Sequence, residues 1–293
     1  MILPFLAFLL ISFIGGAVNS ILIRTVDSEI PPLTGAFLRF FGAFLLLLPF
    51  WFREKKLLKK DDLIKVIPFS INIALFSIAI QYTSVVMVNV IYALAPIVVA
   101  VFGFFLLKEK LLKEHIVGLI ISLIGVGILI FGSFETQDIL SFGTPLGNIL
   151  IFIGVFFWSF WLLGSRSLSK TYTSFTILFS CFFVATMLLV FIIPFEWTIR
   201  PLSLSAISYK GLGSILGTIL FSSIVVYFVY QWLIKHTSAF IGSLVQYGSV
   251  AFGALAGVIV YQERLTTQLI IGALLVVSGV FLATTYSQLQ KRK

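Results

Sequence analysis

Ten apolar runs, each roughly 20 residues long, alternate along the chain with short polar connections. They fall near 3–23, 33–52, 63–81, 84–107, 112–132, 146–165, 173–195, 211–234, 238–261 and 267–286. The runs are continuous, whereas a membrane β-barrel would show segments of about 10 residues alternating apolar and polar. Crossing a hydrocarbon layer of ~30 Å takes about 20 apolar residues as helix, because lipid offers the backbone no hydrogen-bond partner. The pattern therefore predicts an all-α integral membrane protein with ten transmembrane helices. The opening MILPFLAFLLISFIGGAVNS has no charge ahead of its apolar stretch and no A-x-A site. It reads as a first span and not as a cleaved signal.

Composition agrees with that pattern. The 293 residues are 60% hydrophobic and 11% charged, with mean hydropathy +1.14. Soluble domains are about 45–50% apolar and about 25% charged. A net charge of +9 on a soluble chain would suggest nucleic acid; here the cations sit in loops and set orientation. With the N-terminus inside, fifteen Lys and Arg fall in inner connections, from Arg53 to Lys293, and four outside: Arg24, Arg200, Lys210 and Arg264. Both termini are expected to be cytoplasmic, in the plasma or inner membrane.

The chain also repeats itself. Shifted by 154, YTSVVMVNVIYALAPIVVAVFGFFLLKEKLLKEHIVGLIISLIGVG lies without gaps over HTSAFIGSLVQYGSVAFGALAGVIVYQERLTTQLIIGALLVVSGVF. Thr83/Thr237, Ser84/Ser238, Gly103/Gly257, Glu109/Glu263, Leu111/Leu265, Gly118/Gly272 and Gly125/Gly279 are identical. The polar segment SFETQDILSFGTP, holding Gly143 and Pro145, reads as the link between halves. Five spans per half is an odd number, so the second half enters from the opposite face. Inverted repeats of this kind belong to secondary transporters, with the substrate near the midplane.

The T-S pair at a span start, the Pro or Gly in mid-span, the (K/Q)-E-(K/R)-L turn and the glycine-bearing last span together resemble the EamA-like family of the drug/metabolite transporter superfamily. LGSILGTILFSSIVVYFVYQWLIKHTSA is similar to that family's entry into its ninth span, and Arg39 in span two also fits. The resemblance implies repeats over 1–133 and 145–288, a cytoplasmic tail at 289–293, and export of an amino acid, another metabolite or a drug. Relatives carry nucleotide sugars or flip lipid-linked sugars; a non-transporting scaffold is the rival from another class. The halves differ where Val250 stands over Pro96.

Candidate chemistry is sparse. Arg39 interrupts the run LTGAFLRFFGAFLLLLPFWF, roughly 10 Å below the outer end. On a helical wheel Gly35, Ala36, Gly42, Ala43 and Leu46 lie within about 60° of it, and Phe37, Phe41, Phe44 and Leu48 lie opposite. Small residues mark close helix contact and phenylalanines mark lipid, so Arg39 is expected to point inward. It either bonds neighbouring helices or holds an anionic group such as a carboxylate. All eleven acids fall in loops or at span ends, leaving it no evident buried partner. Asn89 and Tyr92 share a helix face, with Gln246 and Tyr247 at the matching depth under the 154 shift. With Asn19, Asn72, Trp158 and Tyr227 they form the expected lining of a midplane pocket, against the plainer alternative of helix–helix hydrogen bonds.

Other features read as structural. Glu109 and Glu263 are expected to cap and pair locally at span ends, with a protonation switch as the alternative. Gly213 and Gly217, and the glycines Gly118, Gly125, Gly127, Gly272 and Gly279, read as packing sites. Cys181 is alone and is expected to pack in a span, and His115 and His236 are expected in separate loops with no metal cluster. The sequence holds no Walker loop, DDxxD pair, HExxH helix or Ser/His/Asp set in context, which argues against an ATP-driven pump and a membrane enzyme. The implied partners are a small-molecule substrate and membrane lipid, with no nucleic acid and no cofactor.

Overall fold

The computed structural model describes residues 15, 18–19, 21–54, 56–107, 113–135, 142–236, 239–243 and 256–290. Among the described residues the chain is helical, with turns and short loops between helices. In chain order the helices are α1 (21–29), α2 (Pro32–Glu54) and α3 (Lys60–Ala79, with a turn at 64–66). Next come α4, in two pieces Val85–Tyr92 and Ala95–Leu107, then α5 (Lys113–Glu135) and α6 (Pro145–Leu168). The rest are α7 (Ser174–Ile199), α8 (Tyr209–His236), α9 (Ala239–Ser243) and α10 (Thr267–Gln290), with a further short helix at 256–261. Six of the described helices, α2, α3, α4, α6, α7 and α8, are long and apolar enough to cross a membrane. Ile116–Gly132 and Thr267–Gly279 are shorter apolar stretches. The chain is a multi-pass membrane protein.

Helix starts follow from hydroxyl caps. Ser84 Oγ accepts from Met87 N at 3.1 Å, Thr144 Oγ1 from Gly147 N at 3.2 Å, Thr173 Oγ1 from Thr176 N at 3.1 Å and Ser208 Oγ from Gly211 N at 3.0 Å. Each satisfies one backbone N–H that the first turn leaves without a helical partner. Pro145 then occupies a first-turn position, where its missing N–H costs nothing. Just before this cap Gly143 has φ +64° and an added Cβ would run into Thr83, so any side chain there would meet both strain and a neighbour. Thr83, one half of the repeated T-S pair, donates to Asn148 Oδ1.

Carboxylates cap other helices across the fold. Glu196 at the end of α7 accepts from Leu33 N at 2.7 Å and from Thr34 N at 2.8 Å, opening α2. Glu29 accepts from Ser208 N and Ser208 Oγ at the start of α8, and these bonds hold its carboxyl below the usual glutamate range. Glu263 accepts from Val85 N at 2.8 Å and Val86 N at 2.9 Å, and pairs with Arg24 at 2.7 Å. The capping and pairing expected of Glu263 are present, though with Arg24 on a distant helix. Glu109 lies outside the described residues.

α3 packs on α6, α2 on α7 and α5 on α10. An aromatic core joins four of these helices: Phe40 lies 5.4 Å from Phe69, 5.6 Å from Phe182 and 6.2 Å from Tyr227. Cys181 is buried beside it.

The α5/α10 contact has an internal order. Ser122 Oγ donates to Val276 O at 3.1 Å, and 276 is 122 shifted by 154. A Cβ on Gly125 would stand 2.7 Å from Gly272 O, and one on Gly279 2.5 Å from Gly118 O. Under the shift, Gly118 maps to Gly272 and Gly125 to Gly279, so the two close approaches exchange with each other.

Several expectations change. Gly213 and Gly127 have no neighbour within 4 Å of an added Cβ among the described residues, so neither packs closely on any of them; Gly217 does pack, against Leu22. His236 is the last helical residue of α8, its ring 4.5 Å from Trp232, and His115 falls within α5; neither lies in a loop. Leu46 is exposed, with Leu47 buried in its place, and Phe44 packs at a tilt against Phe179 and Phe183 of α7 instead of facing lipid. Asp27 lies in the last turn of α1, at a span end as expected, yet it is buried and not solvent-facing.

Candidate functional site

One cavity of about 660 Å³, counted to its open mouth, lies between the first helix, α2, α3, α4, α6 and α8. Asn19, Arg39, Asn72, Asn89, Tyr92, Trp158 and Tyr227 all line it. Gln246 and Tyr247 lie outside the described residues. Ile23 and Ser222 were not singled out by sequence, whereas Tyr230 is one of the few polar groups expected inside the spans. Tyr230 sits one helical turn after Tyr227, so the shared face was the signal available for it.

Local chain features place these groups. In α4 the helix breaks at Ala93–Leu94, because Pro96 has no N–H to give the Tyr92 carbonyl and its ring crowds that turn. The break sits beside Asn89 and Tyr92. Asn72 of α3 donates through Nδ2 to Tyr92 Oη at 2.6 Å and to Gly154 O at 2.8 Å, tying α3, α4 and α6 together at the cavity wall. Asn89 Nδ2 donates to Val85 O, one turn back. In α8 the hydrogen-bond ladder widens to a π-helix over Thr218–Val226, a rare form that recurs at functional sites. That widened turn carries Ser222 and Ser223.

Arg39 is buried, 5% exposed. Its Nε donates to Ser223 Oγ at 2.7 Å, and its guanidinium carbon lies 4.8 Å from the Phe40 ring centre and 5.7 Å from that of Tyr227. Among the described residues no carboxylate is within ion-pairing distance of it. A buried cation without such a partner is costly unless something else compensates it. Tyr92, Trp158, Tyr227 and Tyr230 supply an aromatic wall, with Trp158 5.5 Å from Tyr230 and 6.2 Å from Tyr227. Three buried polar atoms on the wall, Asn19 Oδ1, Trp158 Nε1 and Ser222 Oγ, have no hydrogen-bond partner among the described residues. An acceptor, a donor and a hydroxyl thus remain for a guest beside a fixed positive charge.

Trp161 is fully buried behind this wall, 4.7 Å from Trp158, so it belongs to the core and not to an interfacial belt. Gln231 bonds Ser165 and Ser169 and joins α8 to α6, away from the cavity.

A polar, arginine-bearing hollow thus lies inside a bundle of apolar helices. The sequence matches the EamA-like transporter family over residues 3–131 and 145–285, and the chain belongs to that family. It is 29% identical over 226 residues to the uncharacterized transporter YyaM of Bacillus subtilis, covering 74% of this chain and 70% of that one. It is 28% identical to the uncharacterized transporter YvbV of the same organism, covering 98% and 92% of the two chains. An uncharacterized transporter of Clostridium kluyveri is 26% identical, over 73% of this chain and 68% of its own length. A solved structure titled "Crystal structure of protein" has the same fold, with TM-score 0.66, 16% identity and coverage of 96% and 98%.

Proposed function

We propose that this transporter is a ten-span secondary carrier of the plasma or inner membrane, with both termini cytoplasmic. It exports a small, partly apolar metabolite bearing a carboxylate, an amino acid first among the candidates. The two halves, related by inversion, expose the cavity alternately to either side. The reciprocal glycine approaches in the α5/α10 contact, exchanged by the 154 shift, support the inverted pairing. Fifteen inner against four outer cations support the orientation.

The observation that carries the reading is Arg39 on the wall of an aromatic cavity with no carboxylate paired to it. A guanidinium binds a carboxylate by two parallel hydrogen bonds, and the rings accept an apolar side chain. The test is uptake of radiolabelled phenylalanine and leucine into inside-out vesicles. Arg39→Lys keeps the charge and loses the fork, and is expected to cut uptake about ten-fold. Arg39→Ala is expected to abolish it, with both variants monodisperse in detergent. Uptake at unchanged affinity in both variants would make Arg39 a helix–helix bonding residue only.

A further inference from the structure

Asp27 stands apart from every other carboxylate among the described residues. Glu29, Glu196 and Glu263 each cap a helix, and Asp62 pairs with Lys65. Asp27 is 6% exposed, and its Oδ2 is buried with no hydrogen-bond partner among the described residues. It borders a second, much smaller cavity together with Arg39, Ser77 and Thr218. Ile23, Arg39, Ile73 and Phe76 line both cavities, so the two are neighbours on either side of these side chains. Close packing aims the carboxylate there: a Cβ on Gly35 would meet Val26 at 2.9 Å and Asp27 Oδ1 at 3.4 Å.

We infer that Asp27 receives the ammonium group of a zwitterion whose carboxylate lies on Arg39, and that a proton takes that place when the site is empty. This rests on the function proposed above and names its ligand class. A bare buried carboxylate oxygen needs a counter-charge or a proton. The surrounding charges do not fill that need. Arg200 donates to the Asp27 main-chain oxygen at 2.9 Å, not to its carboxylate. Arg24 is held by Glu263, and Glu196 is held by the start of α2. Tyr261 Oη donates to Ile21 O. Arg39 and Arg200 repel a metal cation from the site, and only the hydroxyls of Ser77 and Thr218 would join Asp27 in ligating one. An ammonium brings its own anion, the carboxylate, to Arg39 at the same moment. Ammonium and proton then compete for one oxygen, and the displaced proton leaves to water. Such competition exchanges an outbound zwitterion for an inbound proton.

The test compares phenylalanine with 3-phenylpropanoate, and leucine with 4-methylpentanoate, in binding to the purified full-length protein between pH 5 and pH 8. Affinity for each amino acid is expected to fall with acidification, approaching about ten-fold per pH unit once Asp27 is protonated. The two acids lacking the ammonium are expected to show no such fall. Asp27→Asn is expected to bind the amino acids about ten-fold more weakly, to lose their pH dependence, and to bind the two acids as before. Equal pH profiles for both ligand types in the unaltered protein would overturn the inference whether or not the variant folds. So would an affinity that follows sodium concentration in place of pH. Failure of all four probes to bind the unaltered protein would instead sink the function on which the inference rests.

Discussion

Glu263→Ala is expected to destabilise the purified protein by about 2–4 kcal/mol, because two buried backbone N–H groups lose their acceptor and a part-buried cation loses its partner. The carboxylate serves three donors at once: Val85 N, Val86 N and Arg24 Nη1. Its side chain is 1% exposed, so water does not replace it when it is lost. The first turn of α4 would be left with two bare N–H groups and α1 with an unpaired cation. Gly257 makes the approach possible, since a Cβ there would stand 2.5 Å from Glu263 Oε2. Gln262 at φ +53° turns the chain back to it. Thermal unfolding in detergent reads the effect as a large drop in midpoint; a midpoint unchanged within a degree or two would show that α4 does not depend on this clasp. Glu263→Gln is expected to fall between, because one acceptor remains while the new amide N–H₂ faces a donor.

Gly279→Val is expected to separate α5 from α10. The first added carbon would lie 2.5 Å from both Gly118 O and Ser122 Oγ and 2.9 Å from Ser122 N. Backbone atoms cannot rotate away as side-chain ends can, so the helices themselves must move. Overpacking of this kind typically costs about 1–3 kcal/mol, and occasionally more. The matching change at Gly125, where a Cβ would meet Gly272 O at 2.7 Å and Val276 N at 2.9 Å, is expected to cost a similar amount. Equality is the informative part: if α5 and α10 are inverted copies, the two sites are one environment seen twice. Combining them should cost less than the sum, since they open one interface. A full-sized midpoint drop from one substitution and none from the other would contradict the pairing.

The apolar periodicity announced helices because every spanning backbone must bond within itself. It placed α2, α6, α7 and α8 within a few residues of their structural limits. Arg39 was legible for the same reason: one cation among apolar residues has to face inward, and Gly35 and Gly42 do pack on neighbours there, against Val26 and Ile219. The polar wall of Asn72, Asn89, Tyr92 and Trp158 was legible because polar side chains are scarce in spans. Leu46 and Phe44 were misjudged, because a wheel gives directions but not which neighbour stands there; α7 covers Phe44. Asp27 was missed for a related reason. It falls just beyond a hydropathy-defined span, at 3–23, yet α1 continues past it to 29 and is roofed by α2 and Arg200. Ser222 and Ser223 carry no hydropathy signal of their own. Ser222 on the wall and Ser223 bonded to Arg39 both stand in the π-helical widening of α8, which sequence periodicity does not encode.

The claim beneath all of this is that the Arg39 hollow is wet and holds the solute. Ser222→Cys in a Cys181→Ala background places a thiol on its wall with little change in volume, at an atom that now has no partner. The measurement is the rate at which a membrane-impermeant thiol reagent modifies that cysteine in membrane vesicles, with and without phenylalanine. Modification that phenylalanine slows in proportion to its occupancy is the expected result. A thiol that never reacts, or reacts at one rate whatever solute is present, would contradict it.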